Sequence, residues 1–275
     1  MRVAVAVVAC AGCLGEPPRA NCRPPRALVE VNTPEEETGP WLSPDRLEML
    51  FTSGDRNGRN TIIKHASRAR SDDDFDDVVE ASGLLPPGRG VRDGFIEPDG
   101  RTLWFTGYDD AGPPERLFRA TRDEPRSALF RDVVQVPSID VGGHPSMTAD
   151  GLTLFFHRAA GANLAVHRAT RESREQVFAN IQPLPQLAPS GALGATAPSV
   201  SGDGARLLFT VAQASNHLQI YEADRNAAEF EPGSAEEDVG PGGQNDRDGA
   251  LHIAGDSIVF ASDRDGSYDL FVTCE

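Results

Sequence analysis

The chain has 275 residues, 39% of them hydrophobic, which suffices for one large all-β domain or two small domains. Its 27 glycines and 21 prolines favour many short strands joined by turns, because glycine permits positive φ angles and proline interrupts strand ladders. The formal net charge is −16, with 42 acidic residues against 26 basic ones, whereas binding to a phosphate backbone needs cationic patches. We therefore expect no nucleic-acid partner.

The first element along the chain has the pattern of an export signal. A basic residue precedes an apolar run, residues 3–9, that is too short to cross a bilayer, since a span needs about 20 apolar residues. The run ends in small residues and cysteines, which resembles a bacterial lipoprotein signal, in which a cysteine is lipidated and becomes the mature N-terminus. We expect a signal over residues 1–13, lipidation of Cys13 and a linker over residues 14–25. Lipidation of Cys10 and a plain secretory signal are the alternatives.

The cysteine count favours processing at Cys13. Removal of the preceding residues leaves Cys22 and Cys274 as a pair in an oxidising compartment, whereas processing at Cys10 leaves an odd thiol. We therefore expect a disulfide between Cys22 and Cys274, with two free thiols as the alternative. The expected location is the periplasm or the outer cell envelope, held by a lipid anchor, or alternatively the extracellular medium.

One phrase recurs five times along the rest of the chain. It ends in Phe, and the closing Phe residues are 54, 51, 53 and 51 positions apart. A period near fifty, with several short strands in each unit, is typical of propeller blades. The five copies are Pro40–Phe51, Gly94–Phe105, Pro145–Phe156, Pro198–Phe209 and Leu251–Phe260.

Each copy predicts four short strands, A to D. Strand A alternates apolar and polar residues, an Asp-Gly turn follows in most copies, and strand B ends at the closing Phe. A second recurring phrase forms strand C. The apolar position of strand A is expected at Leu42, Ile96, Met147, Val200 and Ile253, and strand D is expected to begin at Phe75, Phe130, Phe178 and Phe230.

The fifth copy ends after strand C, so we expect the segment 26–33 to complete it and to leave no open sheet edge. The sequence thus predicts an all-β fold over residues 26–275, a five-bladed β-propeller with four-stranded antiparallel blades. The last blade is completed by the N-terminal strand.

The phrase Pro-x-x-Ser-x-Asp-Gly-x-x-Leu-x-Phe, with turns such as Ser262–Phe271 and Ala-Thr-Arg elsewhere, resembles the WD-like repeat of TolB and related bacterial envelope proteins. The resemblance covers residues 26–275 and implies a propeller. It implies little about function, because propellers host many unrelated activities. TolB has an extra N-terminal domain for which we expect no room in this chain, so a TolB-like partner role does not follow.

An aspartate recurs at the A–B turn of every copy. One aspartate at the same place in each copy is what a structural turn requires, so we interpret these residues as turn formers rather than catalytic groups. Asp263 and Asp265 resemble a calcium loop only in part, because a third ligand and a terminal Glu are missing, and we expect a hairpin turn there. The sequence predicts no metal site and no cofactor. The turn aspartates are Asp45, Asp99, Asp150, Asp203 and Asp256.

Acidic residues are concentrated on one side of the predicted ring. In a propeller the D–A and B–C loops emerge on one face, and counted in this way that face carries roughly −10 against roughly −3 on the other. We expect the electronegative face or the mouth of the channel to bind a ligand. The candidate ligand-binding residues are Glu97, Asp109, Asp110, His144, Glu236, Glu237, Asp246, Asp248 and His252.

These patterns favour an exported, non-catalytic binding or scaffold module of the bacterial cell envelope. Its expected partner is a cationic protein segment, a glycan or a divalent cation; acidic loops that only maintain solubility are the alternative. The alternative function is a carbohydrate-active enzyme, because some five-bladed propellers are glycosidases, which need two carboxylates about 5 to 10 Å apart. The sequence contains no nucleophile elbow, phosphate-binding glycine loop or zinc-ligand spacing.

Overall fold

The computed structural model describes residues 25–55, 60–84, 89–109, 112–161, 163–215, 217–227, 229–236, 239, 244–251 and 257–273. These residues form 21 strands and one short 3-10 helix, Pro185–Leu187. The strands are β1 (Arg26–Ala27), β2 (Glu36–Leu42), β3 (Glu48–Gly54), β4 (Ile62–Ser67), β5 (Asp76–Glu80), β6 (Arg89–Ile96), β7 (Thr102–Asp109), β8 (Gly112–Thr121), β9 (Arg131–Gln135), β10 (Gly143–Met147), β11 (Thr153–Ala160), β12 (Asn163–Thr170), β13 (Ala179–Pro183), β14 (Gly194–Val200), β15 (Arg206–Ala212), β16 (Leu218–Asn226), β17 (Glu229–Phe230), β18 (Ser234–Ala235), β19 (Asp246–Leu251), β20 (Ile258–Ser262) and β21 (Asp269–Val272).

The strands associate into four-stranded antiparallel sheets. Three of these sheets have the strand orders β2-β3-β4-β5, β6-β7-β8-β9 and β1-β21-β20-β19. The other strands form a nine-stranded sheet, in which two antiparallel groups, β10 to β13 and β14 to β18, are joined by one parallel pair between Leu164 and Gly194. The all-β prediction and the four-stranded antiparallel sheets of a propeller are confirmed.

The first strand of each group contains the same bulge. The register of β2, β6, β10, β14 and β19 shifts against the following strand. At each shift one residue is left-handed, with φ between 51° and 55°. Such a backbone costs energy for any residue with a Cβ, so its recurrence indicates that surrounding packing imposes it. The five residues, here called the bulge residues, are Gly39, Asp93, His144, Ala197 and Asp248.

The N-terminal segment joins the last sheet as predicted, but as a much shorter strand. β1 comprises two residues and pairs antiparallel with β21. Leu28 N–H still donates to the Leu270 carbonyl (2.9 Å), and the side chain of Asn32 then bonds the same residue: Leu270 N–H donates to Asn32 Oδ1 (2.8 Å), and Asn32 Nδ2 donates to the Leu270 carbonyl (3.1 Å). The amide of Asn32 thus replaces a peptide unit, and the extended strand expected over residues 26–33 is wrong beyond Ala27.

The pairing of β19 corrects the sequence alignment of the fifth repeat. Leu251 pairs with Ile258, the register found at the corresponding place in the first sheet. The apolar strand A position therefore belongs to Leu251, which is buried, and not to Ile253. The sequence prediction aligned the fifth repeat on Asp256. In the structure, burial of the pair Leu251 and Ile258 sets the register instead. Ile253 and Asp256 themselves lie outside the described residues.

The A–B turns confirm the structural role of their aspartates. Asp150 Oδ1 accepts a hydrogen bond from the hydroxyl of Thr148 (2.6 Å) and from the N–H of Leu152 (2.8 Å). The hydrogen bond from Thr148 is the main reason that the pKa of Asp150 is lowered. The same backbone contact, two residues along, is made by Asp45, Asp99 and Asp203.

The recurring Ala-Thr-Arg phrase also has a structural role. Arg122 donates Nε to the carbonyl of Gly100 in the A–B turn (2.8 Å) and Nη1 to a carbonyl of the C–D loop (3.0 Å). Its guanidinium lies 5.5 Å from the ring centre of Phe130. Arg68 and Arg171 make the equivalent contacts in their own sheets. Each arginine therefore fastens a turn to a loop.

No helix among the described residues is long and apolar enough to cross a membrane. The expected signal over residues 1–13 lies outside the described residues, as do Cys13, Cys22 and Cys274. Lipidation and the disulfide therefore stay predictions.

Candidate functional site

Hydrogen bonds from the bulge residues connect neighbouring sheets. In three cases the backbone N–H donates to a threonine hydroxyl of the preceding sheet, and that threonine directly follows the closing Phe of strand B. The residue type at this position therefore determines which atom accepts the N–H of the next bulge residue. The three pairs are Thr52 with Asp93 (3.0 Å), Thr106 with His144 (2.7 Å) and Thr210 with Asp248 (2.9 Å).

The other two sheets use different acceptors. His157 occupies the threonine position of the third repeat, and its Nδ1 accepts the N–H of Ala197 (3.3 Å). The last repeat has Ala261 there, which has no side-chain acceptor, and the N–H of Gly39 donates instead to Asp248 Oδ2 (3.3 Å). Gly39 also needs to lack a side chain, because a Cβ on it would lie 2.6 Å from Asp93 Oδ1. The carboxylates of Asp93 and Asp248 thus lie on either side of Gly39.

Asp93 is ionised and ion-paired. Its Oδ1 lies 3.3 Å from Nδ1 of His144, and its Oδ2 lies 3.5 Å from Nε of Arg92 and accepts the hydroxyl of Thr106 (3.2 Å). Burial opposes ionisation of Asp93, but the charge and the hydrogen bond of His144 outweigh it and lower the pKa of Asp93. Burial likewise disfavours the charged form of His144, and Asp93 overcomes this and raises the pKa of His144.

Glu115 and His157 extend the same cluster. Glu115 pairs with Nη2 of Arg92 through one oxygen, and its other oxygen lies 2.9 Å from Nε2 of His157. Because Nδ1 of His157 accepts the N–H of Ala197, its proton lies on Nε2 and is donated to Glu115. Burial, and then the charge of His144, lower the pKa of His157 to about 3, so this imidazole is neutral at physiological pH.

A cavity of about 50 Å³ lies beside this cluster, on the side towards the A–B turns. All five inner strands line it, and its walls are mainly apolar. Among the described residues that line it, Asp93 and His144 are the only ionisable ones. By a measure in which one water needs roughly 10–15 Å³, the cavity takes a few waters or one side chain. The largest apolar side chains in its wall are Trp41, Leu42, Phe95, Ile96, Met147 and Leu251.

Several candidate residues are buried and used internally. Glu97 accepts Nε1–H of Trp104 (2.7 Å), and Asp246 accepts Nη2 of Arg264 (3.0 Å). Burial raises the pKa of Asp246. Glu236 is buried, although it was predicted on an acidic loop face.

Two candidate residues, His144 and Asp248, lie among these charged groups: His144 pairs with Asp93, and the charge of Asp248 also raises the pKa of His144. Asp248 accepts Nε of Arg247 (2.8 Å) in addition to the N–H of Gly39. Asp109 ends β7, and only its backbone is described. The candidates Asp110, Glu237 and His252 lie outside the described residues.

Sequence reasoning missed Asp93, Arg92, Glu115, His157 and Arg247. Arg92, Asp93 and Arg247 could have been found from the sequence. The tripeptide Arg-Asp-Gly occurs at residues 92–94 and again at 247–249, at the same place in two repeats. Glu115 and His157 carry no comparable pattern, because they reach the cluster from β8 and β11 through side-chain contacts between sheets.

No family model and no curated protein matches the chain. Solved structures match it over most of its length. TolB from Acinetobacter baumannii covers 89% of this chain, with a TM-score of 0.51 and 13% identity, and this chain spans 56% of that protein. A GH43 endo-arabinanase from Bacillus licheniformis covers 88% of this chain, with a TM-score of 0.60 and 10% identity, and is itself covered over 95% of its length.

The catalytic domain of a GH62 α-L-arabinofuranosidase from Coprinopsis cinerea is also similar, with a TM-score of 0.62 and 7% identity over 91% of this chain and 95% of that one. At such identities the likeness concerns the fold alone. The fold is that of a propeller similar to those of TolB, the endo-arabinanase and the arabinofuranosidase, and the TolB-type resemblance is confirmed at that level.

Proposed function

We propose that the protein is an exported, non-catalytic binding module of the cell envelope, which takes its ligand in the apolar cavity at the channel mouth. We further propose that its sheets form a closed ring of five blades over residues 26–275. The equivalent bulges in five inner strands and the pairing of β1 with β21 support this ring.

The ion pairing of the carboxylates of Asp93, Asp248 and Glu115 is the observation that carries the non-catalytic proposal. Glycoside hydrolysis needs a carboxylic acid that keeps its proton until it reaches the leaving group, hence a raised pKa. The pKa of Asp93 is lowered, Asp248 is hydrogen-bonded to Arg247, and Glu115 is paired with Arg92 and His157. The surrounding charges therefore stabilise the ionised form of Asp93, and Asp248 and Glu115 are engaged in ion pairs within the protein.

The polar side chains of the cavity are also engaged within the protein. Ser146 Oγ accepts the N–H of Val200 (2.9 Å), and Ser199 Oγ accepts the N–H of Leu251 (3.1 Å). A glycan needs several hydrogen-bonding groups for its hydroxyls, and a divalent cation needs several oxygen ligands. Among the described residues there is no group of three or more side chains suited to a metal ion. The cavity is better suited to one apolar side chain.

The net charge of the protein further restricts the class of partner. The net charge of −16 attracts cations at long range and repels anions. The partner we propose is thus a cationic protein segment that inserts a single apolar side chain into the cavity.

Three short peptides test this proposal. Titration of the protein with acetyl-Lys-Leu-Lys-amide should give the tightest binding, acetyl-Lys-Ser-Lys-amide should bind more weakly because it lacks the apolar side chain, and acetyl-Glu-Leu-Glu-amide should bind more weakly because of its charge. Ala149 is exposed and lines the cavity, so Ala149→Trp should block it. Ala159→Trp, at an exposed place elsewhere on the same hairpin, is the matched control. Equal binding of all three peptides, or no effect of Ala149→Trp, would refute the cavity as the site.

The second candidate function is hydrolysis of an arabinose-containing glycan, which the fold likeness to the endo-arabinanase and the arabinofuranosidase favours. Incubation with arabinan and arabino-oligosaccharides, followed by chromatography of the products, tests it. We expect no cleavage. Cleavage that Asp93→Asn abolishes would replace our proposal with this one.

A further inference from the structure

We propose that Arg247 binds a carboxylate ligand in the channel, on the other side of the bulge residues from the apolar cavity. This site is separate from the cavity of the proposed function, and neither Arg92 nor Arg247 lines that cavity. Arg247 occupies a register position of the inner strands that lies immediately before the bulge residue.

The five residues at this register position include two arginines and no carboxylate. Each of the five lies directly before a bulge residue and pairs with the corresponding position of strand B. Both arginines are partly exposed, with 27% of the Arg92 side chain and 36% of the Arg247 side chain accessible. The carboxylates of Asp93 and Asp248, one residue later, are buried. The five residues are Thr38, Arg92, Gly143, Thr196 and Arg247.

Arg92 forms ion pairs with two carboxylates at this position, although its buried Nε makes no hydrogen bond. Its Nε points to the next residue, Asp93 (3.5 Å), and its terminal Nη2 pairs with the carboxylate of Glu115. Glu115 reaches this place from β8 and lies over Gly143, so closely that a Cβ on Gly143 would collide with it. The glycine of the third repeat thus makes room for a carboxylate supplied by the second.

Arg247 repeats only the first half of this arrangement. Its Nε donates to the next residue, Asp248 (2.8 Å), and its guanidinium lies 5.5 Å from the ring centre of Tyr268. Within the part of the chain that the structure describes, its terminal nitrogens have no carboxylate partner. Tyr268, two residues before Leu270, holds the register position that Glu115 holds two residues before Leu117, and its side chain has no carboxylate.

The chemistry of the two remaining guanidinium nitrogens defines the ligand. Two parallel N–H groups on a planar, permanently charged fork match the two oxygens of a carboxylate. A ligand carboxylate would thus take at Arg247 the place that Glu115 takes at Arg92. The net charge of −16 slows the approach of an anion, but the ion pair formed at Arg247 is a direct contact, which salt screens less than interactions between exposed charges more than about 8 Å apart. The carboxylate could belong to the C-terminus of a peptide or to a uronic acid.

Matched ligand pairs test the proposal and distinguish these sources. The protein is titrated, with NMR detection, with N-acetylglycine against N-acetylglycinamide and with glucuronate against glucose. We expect the charged member of at least one pair to bind with a dissociation constant of about 10 mM or below, and the neutral member not to bind. The pair that responds identifies the source. Absence of binding by both carboxylates would overturn the proposal.

Two variants locate the site. Arg247→Gln should weaken carboxylate binding at least tenfold, while Arg70→Gln, which removes an exposed arginine paired with Asp72, should leave it unchanged. If Arg247→Gln does not fold, crystals of the unaltered protein soaked with the carboxylate that binds decide the question: the proposal requires it on the terminal nitrogens of Arg247, and a carboxylate bound elsewhere contradicts it. Ala149→Trp, which blocks the cavity, should not affect this site, so failure of the proposed function and failure of this inference are distinguishable.

Discussion

Nδ1 of His144 lies 3.3 Å from Oδ1 of Asp93, and this ion pair joins the inner strands of two neighbouring sheets. Both partners are bulge residues with left-handed backbone, so the same strained position that interrupts each strand also directs a charged side chain towards its neighbour. The ion pair at the edge of the cavity is therefore a consequence of the repeat itself.

His157 makes the stability of the protein depend on pH. Its pKa is about 3 in the folded protein and about 6.5 in an unfolded chain, so the unfolded state binds more protons between these values. Stability is therefore complete above pH 6.5 and is lost as the pH falls towards 3. We expect a loss of about 2 kcal/mol at pH 5 relative to pH 7 from this group.

The variant His157→Thr tests this effect, because threonine accepts the bulge N–H in three other repeats. Urea unfolding at pH 7 and at pH 5 should show a smaller loss of stability for His157→Thr than for the unaltered protein. His217→Thr, which alters a histidine outside the cluster, is the control. An undiminished loss in His157→Thr would show that other groups cause the pH dependence.

Arg122 should be required for stability through its buried partner Glu48. The side chain of Arg122 is fully buried and donates two hydrogen bonds to Glu48, at 2.5 and 2.9 Å, across two sheets. Arg122→Met leaves Glu48 buried without this cation, which should cost about 3–5 kcal/mol of unfolding free energy. Arg126→Met removes an exposed pair with Asp45 and should cost less than about 1 kcal/mol. Similar losses in both variants would contradict the importance of burial.

Gly39→Ala should destabilise the contact between the first sheet and its neighbours. The added Cβ would lie 2.6 Å from Asp93 Oδ1, and we expect a cost of about 2 kcal/mol or more in thermal or urea unfolding. Gly161→Ala is the control, because Gly161 also has positive φ but no atom lies within 4 Å of the place that a Cβ would take there. This variant should cost only the energy of a left-handed backbone with a Cβ, about 1 kcal/mol of unfolding free energy. If the two variants are equally stable, the close approach of Asp93 does not constrain Gly39.

The disulfide between Cys22 and Cys274 remains a prediction for the mature protein. It would close a loop of about 250 residues and, in the chain-entropy model, stabilise the ring by roughly 5 kcal/mol at most. Mass spectrometry of the unreduced protein should recover the two cysteines in one linked peptide. Recovery of both peptides as free thiols would refute the bridge.

The sequence allowed the sheets to be predicted well because one apolar pattern recurs in every repeat. The closing Phe residues mark the second strand of each sheet, and Phe75 and Phe130 directly precede fourth strands. The prediction for the fifth repeat was wrong at Ile253 because an aspartate, and not the buried pair of Leu251 and Ile258, was used as the anchor.

The candidate site was harder to predict. A left-handed backbone at residues such as His144 and Asp248 leaves no apolar periodicity, and the partners of these residues come from other sheets. His144 was found because polar residues were expected near the channel, and Asp248 because it was counted among the acidic residues of one loop face. Glu115 was missed because its role depends on a glycine in the next repeat, Gly143, which leaves space for its carboxylate.

The central claim, that the apolar cavity binds a side chain of a partner, is tested most directly by intermolecular nuclear Overhauser effects in the complex with acetyl-Lys-Leu-Lys-amide. The account predicts contacts from the leucine methyl groups of the peptide to the ring protons of Trp41 and Phe95, which line the cavity and pack edge to face with ring centres 6.3 Å apart. Contacts only to residues outside the cavity, with none to Trp41 or Phe95, would contradict it.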